Sequence, residues 1–239
     1  MTYLLYLFGF LPSIIWLAFY LAKDKHPESN KMVLKIFVFG MLSGVVAIFL
    51  EKGFETVMTS IKAIILLPAS LIAGFSIFVG GALIEEFVKY GAVRVGVFGN
   101  PELDEPVDFM IYMIIAGLGF AALENVLLLM NEYHALLASI PIVRTAAVRF
   151  VSATFLHALC SGLLGYFLAL SFLRLQLKRL YFYSGLVLAS LLHGMYNYAI
   201  MEMRNSAQFL VPIAILIGTA VFLSFGFKKL KRSQAKCKI

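Results

Sequence analysis

The chain has 239 residues, of which 62% are hydrophobic and 14% charged, and its mean hydropathy is +0.92. A soluble domain carries roughly 25% charged residues, so the composition excludes a water-soluble globular enzyme and points to a polytopic membrane protein. The net charge of +7 does not imply nucleic-acid binding, because six basic residues sit together in the terminal stretch KKLKRSQAKCKI (Lys228, Lys229, Lys231, Arg232, Lys236, Lys238), where they suit an anionic cytoplasmic membrane surface.

Backbone groups in lipid must be satisfied internally, which leaves helices or a closed barrel. The apolar runs here are long and do not alternate, so the fold class is an all-α, polytopic transmembrane helix bundle. The first run, 2–22, starts without a basic n-region or a small-residue cleavage site and reads as a retained helix. The next are 33–50, 61–99, 107–130, 143–173, 181–201 and 207–227, each near or above the ~20 residues that a span needs. Segment 61–99 is too long for one simple crossing, and Pro68 and the Gly80–Gly81 pair are places where it can kink or split. Pro141 marks the start of the fifth run. The count is seven spans, or eight if 61–99 crosses twice. The loops 23–31 and 174–179 and the tail are rich in Lys and Arg, while those near 51–62 and 202–206 are leaner. That pattern sets the N-terminus outside and the C-terminus in the cytoplasm. The chain reads as one integral domain, 1–239, with 228–239 as a basic cytoplasmic tail and 99–108 as a short acidic turn. Cys160 falls in a span and Cys237 in the tail, so there is neither a disulfide framework nor a CxxC metal motif.

Ionisable residues within a span cost about 2.5–3.5 kcal/mol each and mark functional sites by default. In GGALIEEFVKY (80–90), Glu85 and Glu86 lie i,i+4 and i,i+3 from Lys89. Adjacent carboxylates point about 100° apart on a helix, so one can pair with Lys89 while the other faces a water. The competing reading is a pair at a helix end whose side chains reach the headgroups. In GLGFAALEN (117–125), Gly117 and Gly119 allow close helix approach, and Glu124 and Asn125 follow; an interfacial cap is the alternative. In HALCSGLLGY (157–166), His157 and Ser161 share a face, and in HGMYN (193–197) His193 and Asn197 do. A buried histidine bridging two helices is the bland reading of His157; Tyr196 and Tyr198 are packing or interface aromatics. Asp108 and Tyr112 are i,i+4 at the start of the fourth run, and with Arg144 and Arg149 they suit structural or topogenic roles. No one of these motifs is specific. Adjacent glutamates and two histidines on separate helices are more so, because bundles build sites from inward-facing residues of neighbouring helices. Glu, His and Asn are what water activation and oxyanion stabilisation require.

These motifs, in this order, resemble those of the PrsW family of intramembrane proteases. The stretch PSIIWLAFYLAKDKHPE (12–28) is also similar to that family's first span and loop, so the resemblance covers 12 to 197. The wider clan includes the CAAX prenyl endopeptidases, which share the Glu-Glu, His and His-x-x-x-Asn elements. The resemblance implies a glutamic intramembrane protease in a bacterial or archaeal plasma membrane, acting on a membrane-anchored protein. The family's known substrate is a single-span anti-sigma factor, cut on the extracytoplasmic side. It carries the paired glutamates onto Glu85 and Glu86, the first histidine onto His157, His-x-x-x-Asn onto His193 and Asn197, and Glu-Asn onto Glu124 and Asn125. One departure stands out. The family's Asp-Gly-x-x-Tyr-Gly is here DFMIYM, with Phe109 and Met113 in place of both glycines; this bulk can close a helix–helix contact or reshape the substrate groove, and it bears on substrate identity more than on the chemistry.

The expected mechanism has Glu85 or Glu86, with preference for Glu86, acting with His157 to deprotonate a water. His193 and Asn197 then stabilise the oxyanion. Lys89 balances the Glu pair; Glu124, Asn125, Asp108 and Ser161 support the site. No cofactor is expected. Zinc on one Glu and two His is the alternative, although HExxH is absent. A transporter would also bury Glu, Lys and His, but it predicts an inverted repeat that the sequence lacks. A non-catalytic scaffold of the same fold would not need the full set.

Overall fold

The computed structural model describes residues 2–22, 28–64, 68–136 and 140–237, and among these every regular element is helical. In chain order they are α1 (Thr2–Leu21), α2 (Asn30–Ile64), α3 (Ala69–Phe75), a π-helical stretch (Ser76–Leu83), α4 (Ile84–Val97), α5 (Asp108–Leu136), α6 (Ile140–Leu173), a single 3₁₀ turn, α7 (Lys178–Met201) and α8 (Ala207–Cys237). Among the described residues, five helical stretches are long and apolar enough to cross a membrane: Asn30–Lys62, Ala69–Val97, Asp108–Asn131, Val151–Leu173 and Ala207–Arg232. Tyr6–Leu21 is a shorter apolar helix. The chain is thus an all-helical integral membrane protein.

The bundle is built around α5 and α6. These two pack along each other; α2 and α1 lie against α5, α7 lies against α6, and α8 covers α6 and α7. Buried residues make up 72% of the apolar window of α5 and 78% of that of α6, against 22% for α8. The side chains α8 turns away from the bundle, such as Phe209, Ile217 and Phe225, are large and apolar, as a lipid-facing surface requires. Close approach at the centre depends on GLGF. A Cβ on Gly117 would lie 2.6 Å from the Ser161 hydroxyl and 2.9 Å from the His157 carbonyl, and one on Gly119 would run into the Phe37 carbonyl. Small residues at these two positions bring α6 and α2 up to α5.

Two sequence expectations change, and a third is sharpened. Residues 51–62 form no loop, because α2 runs unbroken to Ile64. The polar residues there serve the helix: Lys52 bonds Glu55 at 2.7 Å, and Thr56, Thr59 and Ser60 each donate back to the carbonyl four residues earlier. At 1.5 Å per residue α2 is ~52 Å long, well beyond the ~30 Å hydrocarbon thickness. Segment 61–99 divides near Pro68, as the sequence allowed: 61–64 end α2, and Ala69–Val97 is one candidate span. A helix starts after Pro68 and continues to Val97, and Gly80–Gly81 fall in the wider π-helical turns. Residues 228–237 continue α8, since no Gly or Pro follows Gly226. Two expectations fall outside the described residues: most of the 23–31 loop, and the side chains of Arg144 and Arg149.

Phe109 and Met113 are both buried in the core. Phe109 packs edge-on to Phe98 at 5.7 Å and lies 5.5 Å from Phe172, opposite Gly165 of α6. Of the two outcomes expected for this bulk, a closed helix contact or a reshaped groove, Phe109 takes the first, near the Asp108 end of α5.

Candidate active site

The site assembles where the π-helical stretch gives way to α4. An i→i+5 turn is wider than an α-turn and recurs at functional positions in helices. Phe54 of α2 covers Gly80 in this stretch, and Gly194 of α7 receives Phe78. These contacts bring α7 against the start of α4, so His193 faces the two glutamates that open it.

Glu86 and Lys89 are fully buried, Glu85 is nearly so, and His157 and His193 are buried on the neighbouring helices. The Lys89 ammonium donates to Glu86 at 2.9 Å, to Glu85 at 3.2 Å and to His157 Nδ1 at 2.7 Å, and it lies 4.2 Å from the Phe120 ring centre. An ammonium can only donate, so Nδ1 of His157 accepts, and its Nε2–H points to Glu124 at 2.6 Å. His193 Nδ1 lies 3.0 Å from Glu86 Oε1 and donates to it, and in the neutral ring Nε2 is then an acceptor. Ser161 donates to the other Glu86 oxygen at 3.4 Å. Among the described residues Glu86 therefore has three donors, while Glu85 has only Lys89. Glu85 Oε2 also sits 3.8 Å from His157 Nδ1 and 3.8 Å from His193 Nε2. The two imidazoles stand edge to face, 4.9 Å apart.

Beside Glu85 lies a cavity of about 70 Å³ between α2, α4 and α5, lined by Gly44, Ala47, Glu51, Phe120 and Glu124 among others. It has room for a few waters at roughly 15–30 Å³ each. The wall residue Glu51 escaped the sequence reading, which placed it in a loop. Its signal was the small-residue face Gly40, Gly44 and Ala47, spaced i, i+4 and i+7, with Glu51 at i+11.

The structure brings Glu85, Glu86, Lys89, Glu124, His157, Ser161 and His193 into this cluster. It does not bring in the rest. Asn125 points to α6 and donates to Thr154 at 2.9 Å, clasping the two central helices. Asn197 is half-buried one turn beyond His193, and among the described residues no hydrogen bond joins it to the cluster. Asp108 is sixteen residues from Glu124 along α5, or ~24 Å at 1.5 Å per residue. Its carboxylate accepts from the Asp104 and Glu105 amides at 3.1 and 2.7 Å and folds the acidic turn onto the helix. Tyr112, close to that end, donates to Glu28.

The donor set also resembles a zinc site. Glu85, His157 and His193 offer ligand atoms within 4.8 Å of one another. Each imidazole has its far nitrogen on a carboxylate, Glu124 or Glu86, which is how metal-bound histidines are oriented. Zinc bonds of ~2.0–2.2 Å can span the 3.8 Å separations. Lys89 opposes this, because its ammonium already uses the His157 lone pair that a metal would take.

Comparison with known proteins gives a consistent answer. The family described as PrsW family intramembrane metalloprotease matches residues 28–225. Protease PrsW of Geobacillus kaustophilus (strain HTA426) is 29% identical over 194 residues, covering 81% of this chain and 78% of that protein. Protease PrsW of Bacillus subtilis (strain 168) is 26% identical over 232 residues, covering 95% and 94%. Protease PrsW of Oceanobacillus iheyensis is 26% identical over 212 residues, covering 87% and 88%. No solved structure matches. A family match across residues 28–225, joined to this buried Glu-Lys-His cluster in an all-helical membrane chain, assigns the protein to the PrsW family of intramembrane proteases.

Proposed function

We propose that the chain hydrolyses a peptide bond of a membrane-anchored protein, with Glu85 rather than Glu86 as the general base. One observation carries this choice. Glu86 already accepts from Lys89, His193 and Ser161, whereas Glu85 faces the water-sized cavity and Nε2 of His193. A water held between Glu85 and His193 Nε2 gives its proton to Glu85 as it attacks the carbonyl carbon. Glu85 then passes that proton to the leaving amine. Lys89 offsets the charge of the glutamates, and the Glu124–His157 bond fixes the His157 ring. Asn197 sits on the His193 face of α7, where it can reach the carbonyl oxygen of a bound substrate. Seven spans, with the N-terminus outside and the basic C-terminus cytoplasmic in a bacterial plasma membrane, complete the reading. A single-span anti-sigma factor is a candidate substrate.

A second reading rests on charge. With neutral imidazoles the cluster carries three carboxylates (Glu85, Glu86, Glu124) against the single ammonium of Lys89. A zinc ion on Glu85, His157 and His193 would balance this and would supply an acidified water and a polarised carbonyl. Lys89 would have to release His157.

The test is co-reconstitution of the purified protein with single-span bacterial proteins, with products mapped by mass spectrometry. Cleavage in or beside the span by the wild type, lost in His157→Ala, supports proteolysis at this site; equal cleavage by both refutes it. Activity in protein measured to be metal-free supports the glutamate reading. Stoichiometric zinc that is removed together with activity supports the second.

A further inference from the structure

A larger cavity lies away from the cluster. It occupies about 600 Å³ between α1 and α8 and is floored by Ile111 of α5 and Phe155 of α6. Trp16 stacks on Phe155 with ring centres 4.1 Å apart, and Phe19 and Tyr20 continue the wall along α1. The α8 wall reads Ala220, Leu223, Ser224, Phe227, Lys228 and Lys231, a spacing that puts all six on one helix face. The lining is therefore apolar along most of its length and cationic at one end, and among the described residues that line it none is acidic. Phe19 is 44% exposed, so the groove opens sideways from the bundle. Ile111 and Glu124 are thirteen residues apart on α5, or ~20 Å at 1.5 Å per residue, which separates this groove from the proteolytic cluster.

We propose that this groove binds an anionic phospholipid, with an acyl chain along the aromatic wall and the phosphate at Lys228 and Lys231. The shape excludes a substrate helix: one 10–12 Å across would fill 600 Å³ in about one turn. A narrow chain fits, and the volume lies in the roughly 300–1,000 Å³ range of small-molecule sites. The charge selects the headgroup. Basic pockets between membrane helices hold phosphate headgroups, and tryptophan and tyrosine favour the same interfacial depth. A free phosphate ion would use the lysines but not the aromatic wall.

Trp16 is the chain's single tryptophan, so its fluorescence reports occupancy directly. Wild-type protein is reconstituted in phosphatidylcholine vesicles containing a minority of either brominated phosphatidylglycerol or brominated phosphatidylcholine, and quenching of Trp16 is measured. Each lysine contributes roughly fivefold to the preference for an anionic lipid. Phosphatidylglycerol should therefore quench at a five- to thirtyfold lower mole fraction, and Lys228→Gln/Lys231→Gln should abolish the preference. Lys236→Gln/Lys238→Gln, which removes equal charge from the tail, should retain it. Ala220→Phe, which fills the groove, should lower quenching by both lipids. Equal quenching of the wild type by the two lipids overturns the proposal. So does a preference that survives in Lys228→Gln/Lys231→Gln, a preference lost equally in the tail variant, or unchanged quenching in Ala220→Phe.

Discussion

Replacing Lys89 by methionine removes the ammonium that Glu85, Glu86 and His157 share at 3.2, 2.9 and 2.7 Å. Methionine matches the length of the stem, so the loss is one of charge and hydrogen bonds more than volume. Two carboxylates are left in a membrane interior with no cation beside them, and breaking a buried ion pair from one side costs about 3–5 kcal/mol. Glu86→Gln alone strands Lys89 in part and costs a similar amount. The double variant Lys89→Met/Glu86→Gln leaves a neutral amide facing His193 and Ser161, and of the two glutamates that Lys89 bonds only Glu85, at the cavity edge, keeps its charge. It should unfold within about 2 kcal/mol of the wild type, because removing both members of a buried pair is often near neutral. The coupling energy is then at least ~4 kcal/mol. Reversible unfolding in mixed micelles, followed by Trp16 fluorescence, measures all four proteins. If the double variant loses the sum of the two single losses, or Lys89→Met falls within ~0.5 kcal/mol of wild type, the buried pairing is not what holds this site.

Three further outcomes follow from the same geometry. Glu124→Gln weakens the tether of the His157 ring, and cleavage should fall about 10- to 100-fold in initial-rate measurements with no change in unfolding. Gly117→Val pushes a side chain toward the Ser161 hydroxyl and the His157 carbonyl. It should cost about 1–3 kcal/mol and abolish cleavage, while Gly218→Ala, with nothing within 4 Å, should match wild type in both assays. Tyr112→Phe removes the bond to Glu28 and should lower stability by about 1 kcal/mol with unchanged cleavage rates.

Much of this architecture was readable because lipid imposes a simple rule: long apolar runs must be helices. The depth of Glu85 and Glu86 was also readable, since only a glutamate pair near mid-helix can meet His157 and His193 in their own helices. What the sequence hid is local. A hydropathy cut ended α2 near Leu50, because side chains that bond back to their own helix look like a polar loop. That cut also hid Glu51. The π-helical turns have no composition signal beyond Gly80–Gly81, which equally suits a break. Asp108 and Asn125 lay inside matched motifs, yet they tie the acidic turn and the α5–α6 contact. A motif marks which residues belong together in a fold, whereas contact across helices decides which of them face the reacting atoms. The choice between Glu85 and Glu86 was of this kind: the two are adjacent in sequence, and only their hydrogen-bond partners distinguish them.

The central claim is that Glu85 is the base, and one comparison tests it most directly. Wild type and Glu85→Gln are reconstituted with the same single-span substrate, and initial cleavage rates are compared after both proteins are shown to unfold alike. Glutamine keeps the shape and the bond from Lys89 but cannot accept a proton from water. Cleavage should fall by at least about 100-fold, the lower bound for loss of a general base. A Glu85→Gln protein that cuts within a few fold of wild type would contradict the account.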